Sequence, residues 1–106
     1  MSRAEIIYRP GAIADLQRIF DVIAESSGSD LVAQRFIDRI MQRCSKIGDA
    51  PRGGRPRDDL KPGLRTIPFE RTALIAYRIS DLVEIINVFY GGRDYETLYR
   101  GSDDAS

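Results

Sequence analysis

Residues 82–90 read LVEIINVFY and are apolar except at Glu84 and Asn87. Such a run does not alternate between a core face and a watered face, so it reads as a central strand covered on both sides. A strand of that kind needs a layer over each face, which confines the chain to a sheet-centred fold. Helices are expected over one face, and the C-terminal segment or a partner over part of the other.

The helices are legible upstream. From Ala12 the apolar residues fall at Ile13, Leu16, Ile19, Phe20 and Ile23, with Asp15, Arg18, Asp21 and Glu25 on the other side. Ser26-Ser27-Gly28-Ser29 breaks this helix, with Gly28 suited to a left-handed C-terminal position. Ser29 or Asp30 then caps a second helix. Its stripe is Val32, Phe36, Ile40, Cys44 and Ile47, widened by Ile37 and Met41, with Arg35, Asp38, Arg39, Gln42 and Arg43 outward. So short a break predicts an antiparallel helical hairpin.

Ahead of the hairpin, AEIIY (4–8) is a short strand stopped by Pro10-Gly11. After it, GDAPRGGRPRDDLKPG (48–63) is a long loop of a kind that is often functional. LRTIPFE (64–70) and TALIAYRI (72–79) are strands, and Pro68 places the first of them at an edge or a bulge. Ser80-Asp81 turns the chain into the central strand. The first strand is expected beside the last one, in parallel, because the helical hairpin supplies the crossover. The fold class is therefore α+β, in the order βααβββ, with a helical hairpin packed on a small, mainly antiparallel four-stranded sheet. Residues 1–100 form one domain and GSDDAS (101–106) a disordered tail.

Composition removes several functions. No apolar run approaches the ~18 residues of a membrane span, and MSRAEIIYRP lacks a signal-peptide core. Cys44 is the one cysteine, so it has no internal disulfide partner; on the helical stripe it reads as core. The expectation is a reduced, cytoplasmic protein with no membrane contact. Histidine is absent, which removes the usual general base and metal ligand. Asp58 and Asp59 lack partners at metal-ligand spacing and read as a solvated loop, so no metal and no cofactor are expected. Net charge is zero, against a protein that simply coats nucleic acid. Yet the charge is segregated. Between 52 and 78, Arg52, Arg55, Arg57, Lys61, Arg65, Arg71 and Arg78 face only Asp58, Asp59 and Glu70. Arginine dominates the basic residues and suits carboxylates, phosphates and interfaces.

The βααβββ order, the Pro-Gly entering the first helix, the loop GRPRDDLKPGLR (54–65), the strand ending Ala76-Tyr77-Arg78 and VFYGGRDYETLY (88–99) together resemble the ParE/RelE superfamily of toxins from type II toxin–antitoxin modules. The resemblance spans about residues 5 to 99. It implies one of two activities. ParE-like members inhibit DNA gyrase by binding it, and so block replication. RelE-like members are ribosome-dependent, metal-independent mRNA endonucleases. Arg93 matches the arginine those nucleases aim at the scissile phosphate, and Tyr99 sits at the spacing of their C-terminal tyrosine. Against cleavage, Phe69 stands where they place another arginine, and the loop offers one lysine, Lys61. The ParE-like reading is favoured: a growth-arresting plasmid-stabilisation toxin directed at gyrase, with no firm catalytic residue. The alternative nuclease would use Arg93, Tyr99, Lys61 and Arg65. Arg57, Lys61, Arg65, Arg78, Arg93, Tyr95 and Tyr99 are the candidate partner-binding residues. Arg93 reads either as a functional cation or as a structural one, and Arg65 either snorkels past an apolar face or lines a groove. The resemblance further implies a cognate antitoxin whose disordered segment folds on the hairpin and sheet, and operator DNA bound only through that antitoxin.

Overall fold

The two apolar stripes form the helical hairpin. The computed structural model describes residues 3–92 and 94–104, with side chains through residue 100. In chain order the elements are β1 (Ile6–Tyr8), α1 (Pro10–Ser27), α2 (Asp30–Ile47), β2 (Arg55–Pro56), β3 (Leu64–Phe69), β4 (Ala73–Ile79), β5 (Val83–Tyr90) and α3 (Tyr95–Asp104). Pro10 opens α1, where its missing N–H costs nothing. Gly28 closes the helix in the left-handed region at φ 70°, its N–H donating to the Ala24 carbonyl. The Ser29 hydroxyl accepts from the Val32 N–H and caps α2.

The sheet order is β1-β5-β4-β3-β2. β1 pairs with β5 in parallel, Ile6 opposite Val83, and the other neighbours are antiparallel. The sheet thus has five strands where four were expected. The extra strand, β2, lies inside the Gly- and Pro-rich loop and is only two residues long. It forms because side chains from the neighbouring strands grip the loop. The Arg65 guanidinium donates to the Arg52 and Gly54 carbonyls, and the Tyr77 hydroxyl donates to the Pro51 carbonyl. Pro68 lies past the stretch of β3 that β2 covers, which fits the edge position expected for it.

β5 is covered on both faces, as its apolar run predicts. Ile19, Phe36, Ile40 and Cys44 of the hairpin pack on Ile75, Tyr77, Val83, Ile85 and Val88. On the opposite face Leu60, Leu64, Ala76, Phe89 and Tyr99 form a second cluster, with Leu74, Ile86 and Tyr95 against it. Cys44 is buried, as anticipated.

Three expectations are corrected. Ile13, Val32 and Met41, assigned to the buried stripes, are 47%, 48% and 43% exposed. Each helix of a two-helix layer buries only one face, so the flanks of a wide stripe stay outside. Asp15, assigned to the polar side of α1, is buried; it faces the edge of β5 and accepts hydrogen bonds there. The third correction is α3, which runs through 101–104 of the expected tail. The Asp94 carboxylate accepts from the Thr97 N–H and hydroxyl, fixing the first turn from which the helix propagates. Residues 105 and 106 lie outside the described residues.

The β3–β4 hairpin turns on Glu70 and Arg71, both at positive φ (48° and 60°), with the Thr72 N–H donating to the Phe69 carbonyl. Two left-handed central residues make a turn of the type that favours Asn-Gly. Arg71→Gly is expected to raise stability by about 1 kcal/mol, since only glycine adopts this geometry without steric cost. Glu70 is kept, because its carboxylate accepts from Arg39 at 2.8 and 3.0 Å. A urea midpoint no higher than that of the unmodified chain would refute the expectation.

Candidate functional site

Helix α3 is held on the second face by a clasp built around Arg57. Its side chain is only 8% exposed. Nε and Nη2 donate to the two carboxylate oxygens of Asp59 at 3.0 and 2.8 Å, and Nη1 donates to the Tyr95 hydroxyl at 2.7 Å. Glu96 closes the ring at 3.3 Å from Nη2. The Tyr95 ring stacks on Phe89, with centroids 5.7 Å apart. One turn along, Tyr99 packs edge-on against Phe89, and its hydroxyl donates to the Asn87 side-chain carbonyl at 3.0 Å. Burial, followed by the nearby Asp15 charge, pushes the Tyr99 phenol above its ordinary range.

The clasp has a pH dependence with a definite sign. Hydrogen bonding from Arg57 holds Asp59 below the usual carboxylate range, and hydrogen bonding from Thr97 does the same for Asp94. A depressed folded pKa contributes stability above the unfolded value of about 3.9, and that contribution is lost as pH falls through the folded pKa. Docking of α3 is therefore expected to be intact at neutral pH and to loosen below about pH 4. Amide exchange of Leu98 and Tyr99, followed against pH, reads this directly; protection unchanged down to about pH 2.5, well below the unfolded pKa, would contradict it.

The other expected site residues are dispersed. Arg65 points to the loop, its Nη1 donating to the Arg52 and Gly54 carbonyls. Lys61 and Arg78 line a polar groove at the start of α1 together with Arg9. Phe69 lies on the hairpin side of the sheet, its ring 5.9 Å from that of Phe36. Its aromatic character therefore says nothing about the face that carries Tyr99. Arg93 lies outside the described residues. Arg57, Tyr95 and Tyr99 form one constellation; Lys61 and Arg78 form another; Arg65 belongs to neither. Asp15 and Asn87 were not expected to act, and an acid on a polar helix stripe gives no signal that it will be buried.

The apolar flanks that failed to bury define a different surface. Tyr8, Ile13, Leu16, Gln17, Phe20, Asp21, Ile37 and Met41 line an open groove of about 480 Å³ between α1, α2 and β1. Its walls are almost wholly hydrocarbon, with Gln17 and Asp21 as the polar members. At the hairpin end Val22, Leu31 and Val32 are also about half exposed. Exposed apolar side chains of this kind make the helical side a candidate docking surface.

Together these features define a small α+β protein with a greasy channel on its helical side and a clasped tyrosine helix on the other. No described helix is long and apolar enough to cross a membrane. Residues 6–95 match the model of the ParE toxin of the type II toxin–antitoxin system parDE, and the chain belongs to that family. It is 34% identical over 79 residues to Toxin ParE3 of Caulobacter vibrioides, covering 74% of this chain and 77% of that protein. A chain of the chromosomal ParDE toxin–antitoxin system from P. aeruginosa shares the fold at a TM-score of 0.72 and 21% identity, covering 84% of this chain and 97% of that one.

Proposed function

We propose that this chain arrests growth by binding DNA gyrase, and that a cognate antitoxin neutralises it by laying an apolar segment into the α1–α2 groove. Family membership supports a toxin of the ParE kind. The observation that favours binding over chemistry is the state of Tyr99. Its hydroxyl is buried and engaged by Asn87, and its pKa is raised, so it is a poor proton donor or acceptor for an RNA substrate. Arg65, the cation a nuclease would recruit from the strand, is bound to backbone carbonyls. Operator DNA is reached through the antitoxin, in the cytoplasm.

For the antitoxin, the groove sets the chemistry of the partner: a segment with apolar residues spaced along one face, ordering as it binds. Ile13→Glu and Met41→Glu place charges on opposite walls and are expected to weaken antitoxin binding about a hundredfold while leaving the fold intact, since both side chains are exposed. Unchanged affinity in calorimetry would move the antitoxin elsewhere.

The gyrase reading is tested by supercoiling of relaxed plasmid with ATP and purified toxin, stopped to reveal cleaved complexes. Loss of supercoiling with linear DNA is the expected result. Normal supercoiling, together with new mRNA 5′ ends in translating extracts, would establish the RelE-like activity instead.

A further inference from the structure

Three cations from three distant parts of the chain converge at the open end of the second sheet face. Arg9 precedes the first turn of α1, Lys61 comes from the long loop, and Arg78 from the end of β4. With Pro10, Gly11, Ile86 and Asn87 they line a groove of about 310 Å³. The first turn of α1 carries no acidic residue, and its cap makes no side-chain hydrogen bond. The helix thus adds partial positive charge to the same place.

One carboxylate pairs with two of these cations. Glu84 lies opposite Arg78 in the β4–β5 register, and its side chain is 14% exposed. Its carboxylate is 3.9 Å from Arg9 Nε and 3.8 Å from Arg78 Nη2. Those separations are ion pairs but too long for hydrogen bonds. Glu84 therefore offsets part of the guanidinium charge without using the N–H donors. Lys61 has no ion pair or side-chain hydrogen bond among the described residues. Among the described residues, three cations against the one carboxylate that pairs with them leave an excess of two positive charges at the groove.

We propose that this groove binds a phosphate dianion with at least three unesterified oxygens, either inorganic phosphate or the terminal phosphomonoester of a nucleotide or strand end. The match is in charge and in oxygen count. A phosphomonoester carries about −1.5 to −2 at neutral pH and presents three strong acceptors, one for each cation. A single carboxylate brings one charge and two oxygens, and Glu84 already fills that role. The site is separate from the hydrocarbon groove and from the Arg57 clasp, and stands whether or not gyrase is the target.

The test uses the full chain. Inorganic phosphate, AMP, and a short single strand with or without a 5′-phosphate are titrated while the amides of Gly11 and Gly63 are followed by NMR. Arg9→Gln, Lys61→Gln and Arg78→Gln are each expected to weaken phosphate binding about tenfold. Glu84→Gln is expected to tighten it severalfold, because it removes the internal competitor. Arg35→Gln on the outer face of α2 carries the same change in net charge and is expected to have no effect. Binding of phosphate and AMP alone identifies a free small ligand. A preference for the 5′-phosphorylated strand over its hydroxyl counterpart identifies a strand end. Weakening by Arg35→Gln equal to that by Lys61→Gln, or stronger binding of a short glutamate peptide than of phosphate, overturns the proposal. Should Glu84→Gln fail to fold, Lys61→Gln decides, since its side chain is exposed and unpartnered among the described residues.

Discussion

Asp15→Ala is expected to destabilise the chain by about 3 kcal/mol and to lower Tm by roughly 15 °C. β1 ends at Tyr8, opposite Ile85, and the chain then turns away into α1. From residue 86 onward β5 has no strand on that side. The Asp15 carboxylate takes over, accepting from the Val88 N–H at 3.0 Å and from the Asn87 amide at 2.9 Å. Asn87 in turn accepts from Tyr99. One side chain on a helix thus terminates a sheet edge and, through Asn87, reaches the helix on the far face. Alanine leaves the Val88 N–H buried without an acceptor, at about 1–3 kcal/mol, and also removes the acceptor of the partly buried Asn87 amide. Val88 and Asn87 donate to the same carboxylate oxygen, Oδ2, so Asp15→Asn can keep both bonds with its carbonyl; its amide then faces the exposed Arg18 guanidinium, and it recovers most of the loss. Arg18 also donates to Asp15, but its side chain is 48% exposed, and Arg18→Ala is expected to cost at most about 1 kcal/mol. Urea denaturation of the three variants ranks them; an Asp15→Ala midpoint near that of Arg18→Ala would show that the edge is satisfied in another way.

Gly54→Ala carries the second large effect, a loss of about 2–3 kcal/mol. A methyl group at residue 54 would sit 2.5 Å from the Tyr77 hydroxyl and 2.7 and 2.9 Å from two ring carbons. The Tyr77 ring is fully buried and has nowhere to retreat. The same movement breaks two hydrogen bonds, from the Gly54 N–H to Tyr77 and from Tyr77 to the Pro51 carbonyl. Tyr77→Phe alone loses those bonds at about 1–3 kcal/mol. The double variant is expected to cost less than the sum of the singles, because both remove the same contact. Strict additivity in thermal denaturation would place the Gly54 effect in the loop alone.

The reach of the sequence follows from how local each determinant is. The helix stripes, the Gly28 stop, the Ser29 cap and the parallel placement of β1 beside β5 were legible, since each rests on periodicity, a capping residue or connection length. β2 was not, because Arg55 and Pro56 become a strand through Tyr77 and Arg65, which lie in other strands. Helix α3 had a readable signal in Asp94 followed by Thr97, with Leu98 and Tyr99 three and four residues after Tyr95. The rule that favours Arg and Tyr at interfaces holds for exposed side chains, and it could not tell that Arg57 and Tyr99 are used inside the molecule. The groove was present in the sequence as stripes wider than two helices can bury.

The parallel pairing of the first strand with the last has a genetic consequence. The β1 edge of the sheet cannot close until residue 90 is available, because residues 6–8 pair with residues 83–85 of the strand that ends there. A premature stop or frameshift upstream of that point removes the strand that both β1 and the helical hairpin pack against. Loss-of-function lesions in such a gene should therefore be spread over nearly its full length.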